Sequence, residues 1–174
     1  TRNLCEAIRD TGRNIPLVLA SSTQAEQKNP YGQSKLMVEN MLRDICAVHD
    51  INATCFRYFN AAGADPSGSI GEAHDPETHL IPNILKSTIS GGSELKVFGN
   101  DYETHDGTCV RDYVHVTDLA EAHFLGLEYM KGHSGFSAFN LGNGSGFSVL
   151  DVIGSCERVV KKTIPYDLDM RRAG

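Results

Sequence analysis

Along the first sixty residues the spacing of apolar positions changes period several times. From Arg2 to Asp10, Leu4, Cys5 and Ile8 fall at helical steps and Gly12 follows as a stop, so this stretch predicts the tail of a helix. Ile15-Pro16-Leu17-Val18-Leu19-Ala20 is instead a continuous apolar run, which suits a strand buried on both faces of a parallel sheet. It ends in Ser21-Ser22-Thr23. From Tyr31, the residues Leu36, Met37, Met41, Ile45 and Val48 recur at three- and four-residue steps until a break near Asp50, and a long amphipathic helix is predicted. Ile51 to Phe59 reads as another strand. Helix, strand, helix, strand predicts an α/β fold with parallel pairing.

The middle of the chain is less regular. Asn60 to Thr78 is rich in Gly, Ala, Asp and Pro and reads as a functional loop. A helix is expected around Leu80 to Ser90, with Pro82 near its first turn, then a short strand Leu95 to Phe98 and a turn-rich excursion from Gly99 to Gly107. Thr117 or Asp118 can cap a helix reaching about Lys131. Gly135 to Leu141 looks like a strand. Ser148 starts a helix with Asp151 three residues later, an imperfect capping box, and Ile164 to Leu168 is a last short strand. The Gly142-Asn143-Gly144-Ser145-Gly146 turn is no dinucleotide fingerprint, because that motif needs the first strand and an acidic residue about 20 positions on.

Composition narrows the function classes. Sixteen Lys and Arg against 22 Asp and Glu give a net charge of −6 over 174 residues, so a broad nucleic-acid or anionic-membrane surface is disfavoured. No apolar run is long enough to span a bilayer and no leader is evident, so a cytoplasmic location is expected. Cys5, Cys46, Cys55, Cys109 and Cys156 are dispersed and read as buried thiols; no C-x-x-C or H-x-x-x-H spacing suggests a metal. The chain opens on Thr1 without an initiator Met, so residue 1 need not be a natural beginning.

Tyr31 and Lys35 lie four residues apart on the predicted helix and share a face. An ammonium beside a phenol stabilises the phenolate, although moving a Tyr from about 10 to about 7 takes roughly 4 kcal/mol, more than a solvated Lys gives alone. A hydroxyl at the end of the preceding strand, Thr23, can bond the same substrate oxygen and complete a proton-transfer site. The same pair also suits an ordinary solvent-facing helix start.

Context decides between these. Ser21-Ser22-Thr23 after an apolar strand, then Asn29-Pro30-Tyr31-Gly32-Gln33-Ser34-Lys35, then Phe56-Arg57-Tyr58-Phe59-Asn60-Ala61-Ala62-Gly63, resembles the extended short-chain dehydrogenase/reductase family. Ala64 to Gly68, Ile70-Gly71-Glu72, His79-Leu80-Ile81-Pro82, Val97 to Tyr102, Asp106-Gly107-Thr108-Cys109-Val110-Arg111-Asp112-Tyr113-Val114-His115-Val116, Asn140 to Gly144 and Arg171 to Gly174 narrow the resemblance to its UDP-hexose 4-epimerases. The match runs in order from residue 29 to residue 174. It implies a partial Rossmann-type parallel sheet plus a small mixed α/β substrate domain. Residues 1–60 would be the C-terminal part of the dinucleotide-binding domain, and 61–174 mostly a nucleotide-sugar-binding domain interleaved with returning Rossmann elements.

The resemblance further implies NAD as cofactor, a UDP-sugar as substrate, and transient oxidation at the sugar C4. Tyr31 would be the acid/base, Thr23 its hydroxyl partner, and Lys35 the residue that binds the nicotinamide ribose. Tyr58 and Phe59 would lie beside the nicotinamide, with core packing the alternative for Phe59. Asn60, His79, Leu80, Val97, Phe98 and Tyr113 would contact the sugar nucleotide. Arg111 and Arg172 would grip the diphosphate, their alternatives being an internal tie to Asp112 or Asp118 and a surface salt bridge. Asp112, His115 and Asp118 would hold the loop and cap the helix.

Two features depart from the family pattern. The Gly-rich phosphate loop and the ribose-binding acidic residue have no counterpart in these 174 residues, and only eight positions separate Thr23 from Tyr31. The short link resembles that of a subgroup of nucleotide-sugar reductases; a related enzyme, such a reductase or a UDP-pentose 4-epimerase, is the alternative, and an inactive piece that binds UDP alone is the non-enzymatic one. A strand at Ile15 to Ala20 lacking a neighbour would expose an apolar edge, so a homodimer or dependence on another segment is expected.

Overall fold

The computed structural model describes residues 1–26, 29–89 and 95–171. They divide into two compact units, residues 1–61 with 114–142, and residues 62–113 with 143–174.

The first unit holds a three-stranded sheet. Helix α1 (Arg2–Asp10) leads into strand β1 (Leu17–Ser22), a 3₁₀ turn (Thr23–Glu26), the long helix α2 (Pro30–Val48) and strand β2 (Ala53–Tyr58). Strand β3 (Asn60–Ala62) lies where the chain passes to the second unit; the chain returns as helix α4 (Val116–Tyr129) and strand β6 (Phe136–Leu141). The strand order is β1-β2-β6, all parallel, with Leu17 opposite Ala53 and Ala53 opposite Phe136. Alternation along β2 sends residues to opposite faces. Ala53 joins Cys5, Ile8, Leu42, Cys46 and Ile51 in the core under α1 and α2. On the other face, a Cβ on Gly126 of α4 would come within 2.8 Å of the Phe56 ring, so the helix can lie close only because that position is glycine.

The expectation of a doubly buried strand at Ile15 to Ala20 needs correction. Among the described residues β1 pairs with β2 alone, Leu17, Val18 and Leu19 are half-buried, and Ala20 is exposed. An apolar run signals burial in a sheet interior, and here the strand stands at an edge.

The second unit contains helix α3 (Leu80–Ile89), strand β4 (Leu95–Phe98), strand β5 (Val110–His115, which ends in the first unit), strand β7 (Gly146–Ser148), helix α5 (Val149–Val160) and strand β8 (Tyr166–Asp169). β4 pairs parallel with β8, and β5 antiparallel with β7. Ile84, Leu95, Val97, Val152, Ile153 and Ile164 form its core. Ser148 caps α5 in a complete capping box with Asp151, stronger than the imperfect one expected. The cap of α4 is neither Thr117 nor Asp118. His115 takes that place, its Nδ1 accepting from the Thr117 N–H at 3.2 Å. All five cysteines are free thiols, and no described helix is long and apolar enough to cross a membrane.

Candidate active site

The start of α2 is fixed by its own sequence. The Asn29 side chain accepts from the Gly32 N–H at 2.7 Å, and Pro30 takes the first helical position, where its missing N–H costs nothing. Tyr31 therefore sits in the first turn, 54% exposed. One turn on, the Lys35 Nζ lies 5.6 Å from the Tyr31 ring centroid and donates to the Ala20 carbonyl at 3.3 Å. The ammonium thus links the helix to the carboxyl end of β1. Thr23, just beyond that end, donates its hydroxyl to the Tyr58 carbonyl at 3.3 Å, tying the end of β1 to the end of β2. Asn29 Nδ2 donates to Gln24 Oε1 at 2.9 Å; Gln27 and Lys28 of the link lie outside the described residues.

Below this group is a cluster that sequence reasoning missed. Glu39, on α2, is completely buried. Its carboxylate accepts from the Ser21 hydroxyl at 2.6 Å and from the Arg57 guanidinium, Nη2 to Oε2 at 2.6 Å and Nε to both oxygens at 3.1 Å. Ser21 and Arg57 occupy the same rung of the β1–β2 ladder. Burial pushes the Glu39 carboxyl upward, but bonds from Arg57, Ser21 and Cys55, with the Arg57 charge, outweigh it and hold the group below the usual range. Cys55 pays the opposite consequence: burial first, then the Glu39 charge, push its thiol up to about 12. The available signal was the four-residue spacing Tyr31, Lys35, Glu39, together with an arginine inside an otherwise apolar strand.

Tyr58 faces α4. Its hydroxyl lies 2.5 Å from His123 Nε2, and His123 Nδ1 is 2.7 Å from the Leu119 carbonyl. A carbonyl only accepts, so Nδ1 carries the proton and the Tyr58 hydroxyl donates to Nε2. Burial raises the Tyr58 phenol above its ordinary range. The Tyr58 side chain is thereby committed to packing, and its backbone carbonyl faces Thr23. Phe59 is 41% exposed, which places its ring outside the core, and Asn60 opens β3.

In the second unit, His79 precedes α3 with Nδ1 2.9 Å from Glu77 Oε1 and 2.5 Å from Glu72 Oε1. His74, Glu77 and His79 gather donor atoms that could hold a metal, as do His105, Asp106 and Asp151. The Glu77 carboxylate is already engaged by the Thr78 and His79 N–H groups at 2.8 Å each. Leu80 and Tyr113 pack against the core around Ile84. The Val97 side chain is 1% exposed, so a ligand at this strand would meet its backbone; Phe98 beside it is half-buried. Arg111 is exposed, with Nη1 3.4 Å from the Val110 carbonyl. Asp112 accepts from the Asn143 and Gly144 N–H groups at 3.0 and 2.9 Å and holds that turn. Arg171 pairs with Asp101 at 2.6 Å and stacks 3.9 Å above the Tyr102 ring. Arg172 lies outside the described residues.

Residues 1–142 match the model of the NAD dependent epimerase/dehydratase family. The chain belongs to that family. Within it, the chain is 44% identical over 163 residues to a UDP-glucose 4-epimerase of Halalkalibacterium halodurans, covering 94% of this chain and 49% of that protein. It is 50% identical over 150 residues to the UDP-glucose 4-epimerase of Pasteurella multocida, covering 84% of this chain and 44% of that one. Among solved structures, UDP-glucose 4-epimerase from Brucella ovis in complex with NAD superposes with a TM-score of 0.92 at 40% identity, covering 99% of this chain and 57% of that chain. The Stenotrophomonas maltophila enzyme with bound NAD and formylated UDP-arabinopyranose gives 0.91 at 38% identity, covering 98% and 56%. The family member described here thus spans about half the length of the curated relatives it matches, and its fold is the Rossmann-type α/β arrangement of these neighbours.

Proposed function

We propose that this chain carries the acid/base machinery and sugar-nucleotide contacts of a UDP-hexose 4-epimerase. The observation that carries the reading is the Tyr31–Lys35 pair beside the carboxyl ends of parallel strands, with Lys35 anchored on the Ala20 carbonyl, in a chain 44–50% identical to enzymes of that name. Ligands of open α/β sheets bind outside the carboxyl ends of the strands.

The residues fit the nicotinamide end of NAD. An ammonium with donors left over after its bond to Ala20 suits a ribose, and the exposed Tyr31 and Phe59 rings suit a flat ring. When bound, NAD supplies a reversible hydride acceptor. Tyr31 takes the proton of the sugar 4-hydroxyl and returns it from its phenol. Thr23 bonds the same oxygen once its hydroxyl turns from the Tyr58 carbonyl, and Lys35 binds the ribose and favours the phenolate by its charge. Tyr58 contributes its backbone to this end and Phe59 its ring. Asn60, His79, Leu80, Val97, Phe98 and Tyr113 contact the UDP-sugar, and Arg111 and Arg172 neutralise the diphosphate, for which planar, permanently charged donors are suited. Residues 1–60 act as the C-terminal part of a dinucleotide-binding domain and 61–174 mostly as the nucleotide-sugar domain, interleaved with the returning Rossmann elements α4 and β6.

The test uses the complete polypeptide carrying this sequence, UDP-galactose and NAD. UDP-glucose should form without net change in NADH. Stoichiometric accumulation of NADH would instead identify a net oxidoreductase, a reductase run in its oxidising direction. Tyr31→Phe should lower turnover at least a hundredfold, the scale of general acid–base loss, while UDP binding measured by calorimetry stays within threefold; retained turnover removes Tyr31 as the acid/base.

A further inference from the structure

We infer that Glu39 is a positioning residue for the Tyr31 site: its buried carboxylate sets the rotation of α2 against the carboxyl ends of β1 and β2. The inference rests on the acid/base reading of Tyr31. One carboxylate accepts from two adjacent strands at a single rung, from Ser21 of β1 and Arg57 of β2. Ser21 lies two residues before Thr23, and Arg57 one residue before the Tyr58 carbonyl that Thr23 bonds. On α2, Tyr31, Lys35 and Glu39 follow at four-residue steps along one side. The clamp therefore joins the two segments that carry Tyr31, Lys35 and Thr23 to the strand whose Tyr58 carbonyl holds Thr23.

Other restraints on α2 are looser. The Lys35 contact is a single bond from a flexible stem at 3.3 Å, the Asn29–Gln24 side-chain bond ties only the helix start to the 3₁₀ turn, and Val38, Leu42, Ile45 and Cys46 make apolar contacts. Apolar packing is non-directional, whereas a bidentate guanidinium–carboxylate pair fixes angles as well as distance. At about 6 Å from the helix axis, a 10° rotation moves a side-chain atom by about 1 Å, and misplacement of that size costs on the order of a hundredfold in rate.

The experiment compares wild type, Glu39→Gln, Glu39→Asp and Ser21→Ala in the complete polypeptide, with kcat and KM for UDP-galactose, the melting temperature, and NAD affinity by calorimetry. Glu39→Gln keeps the shape and loses the charge that orients Arg57. Its kcat per folded molecule should fall 10- to 100-fold with KM within threefold, NAD affinity should weaken through the displaced Lys35, and Glu39→Asp should restore part of kcat. A kcat per folded molecule within twofold of wild type, beside a lowered melting temperature, overturns the inference and leaves Glu39 a structural residue. Should Glu39→Gln not fold, Ser21→Ala decides, since it removes one bond and no charge: a three- to tenfold fall in kcat supports positioning and an unchanged kcat overturns it. Absence of epimerisation by wild type, or full activity of Tyr31→Phe, would defeat the acid/base reading itself, whereas an active wild type, a dead Tyr31→Phe and a fully active Glu39→Gln defeat only the role of Glu39.

Discussion

Beside its apolar core each unit holds one hydrogen-bonded carboxylate, and the two are held in different ways. In the first, Glu39 is fully buried and balanced mainly by one cation, Arg57, whose side chain is itself 17% exposed. In the second, Asp106 accepts from the Thr108 N–H and hydroxyl at 2.8 Å each and from the Ser148 hydroxyl, while Thr108 Oγ1 accepts from Val149 N–H at 3.1 Å at the start of α5. The first carboxylate concentrates its balance in a buried charge pair, and the second spreads it over hydroxyl and N–H donors with the exposed His105 imidazole 3.5 Å away. A concentrated pair gives a steep response to loss of either partner; a distributed network fails by small steps.

The largest effect should come from breaking the pair. Glu39→Ala takes the buried carboxylate from the half-buried Arg57 guanidinium and from the Ser21 hydroxyl and should lower unfolding free energy by about 3–5 kcal/mol, read by urea denaturation. Replacing both partners, Glu39→Leu with Arg57→Met, should recover most of that loss, because an apolar pair of similar volume avoids the desolvation of two charges. A double variant as unstable as Glu39→Ala would show that the charges contribute net stability, and the contrast with Asp106 would then rest on strength rather than on concentration.

Next comes the turn that presents Asp106. Gly107 has φ +77°, and a Cβ there would collide with the Asn100 carbonyl. Gly107→Ala combines a left-handed backbone cost of roughly 1–2 kcal/mol with a backbone displacement, so a loss of about 2–3 kcal/mol is expected by the same measurement. Ser148→Ala removes the α5 cap and one Asp106 donor, and about 1–2 kcal/mol should be lost. A loss as large as that of Glu39→Ala would mean that the second network is as concentrated as the first.

How far these features could be read from sequence follows the range of the interactions that make them. Ser148 with Asp151, and Asn29 before Pro30, are local signals, and the helices they start were legible. Tyr31 and Lys35 were legible for the same reason, being one turn apart. At α4 three neighbouring residues could cap, and side-chain reach chose His115 over Thr117 and Asp118. Val110–His115 was not foreseen as a strand because its exposed Arg111 and half-buried Asp112 mask the alternation that a half-buried strand shows. Glu39 was missed for a longer-range reason. A carboxylate on an amphipathic helix reads as solvent-facing by default, and only Arg57, 18 positions away, and Ser21, 18 positions before, make it interior. At Leu17 to Ala20 the apolar run shows the preference for burial on both faces, which the described residues do not supply, while the edge expected where a neighbouring strand is lacking is the arrangement they show.

The smallest effect, and the finest test of the comparison, is the response to acid. Glu39 and Asp106 are both held below their ordinary values of 4.5 and 3.8; at each, burial pushes upward and is outweighed, by Arg57 with Ser21 and Cys55 at Glu39, and by Ser148, Thr108 and the His105 charge at Asp106. A depressed folded pKa means that the unfolded chain binds more protons in that range, so the stabilisation is complete above the unfolded value and is lost as pH falls through the folded one. Wild-type stability should therefore decline on acidification, first from Glu39 below about pH 4.5 and then from Asp106 below about pH 3.8. Urea denaturation between pH 3 and 6 checks this with two variants. Glu39→Gln should flatten the slope from about pH 4.5 downward, whereas Asp106→Asn should leave the upper part intact and flatten only the part below about 3.8. Identical flattening from both, beginning at one pH, would show that the two carboxylates respond alike, and that a concentrated charge pair and a distributed set of donors are equivalent ways of holding an ionised group in this fold.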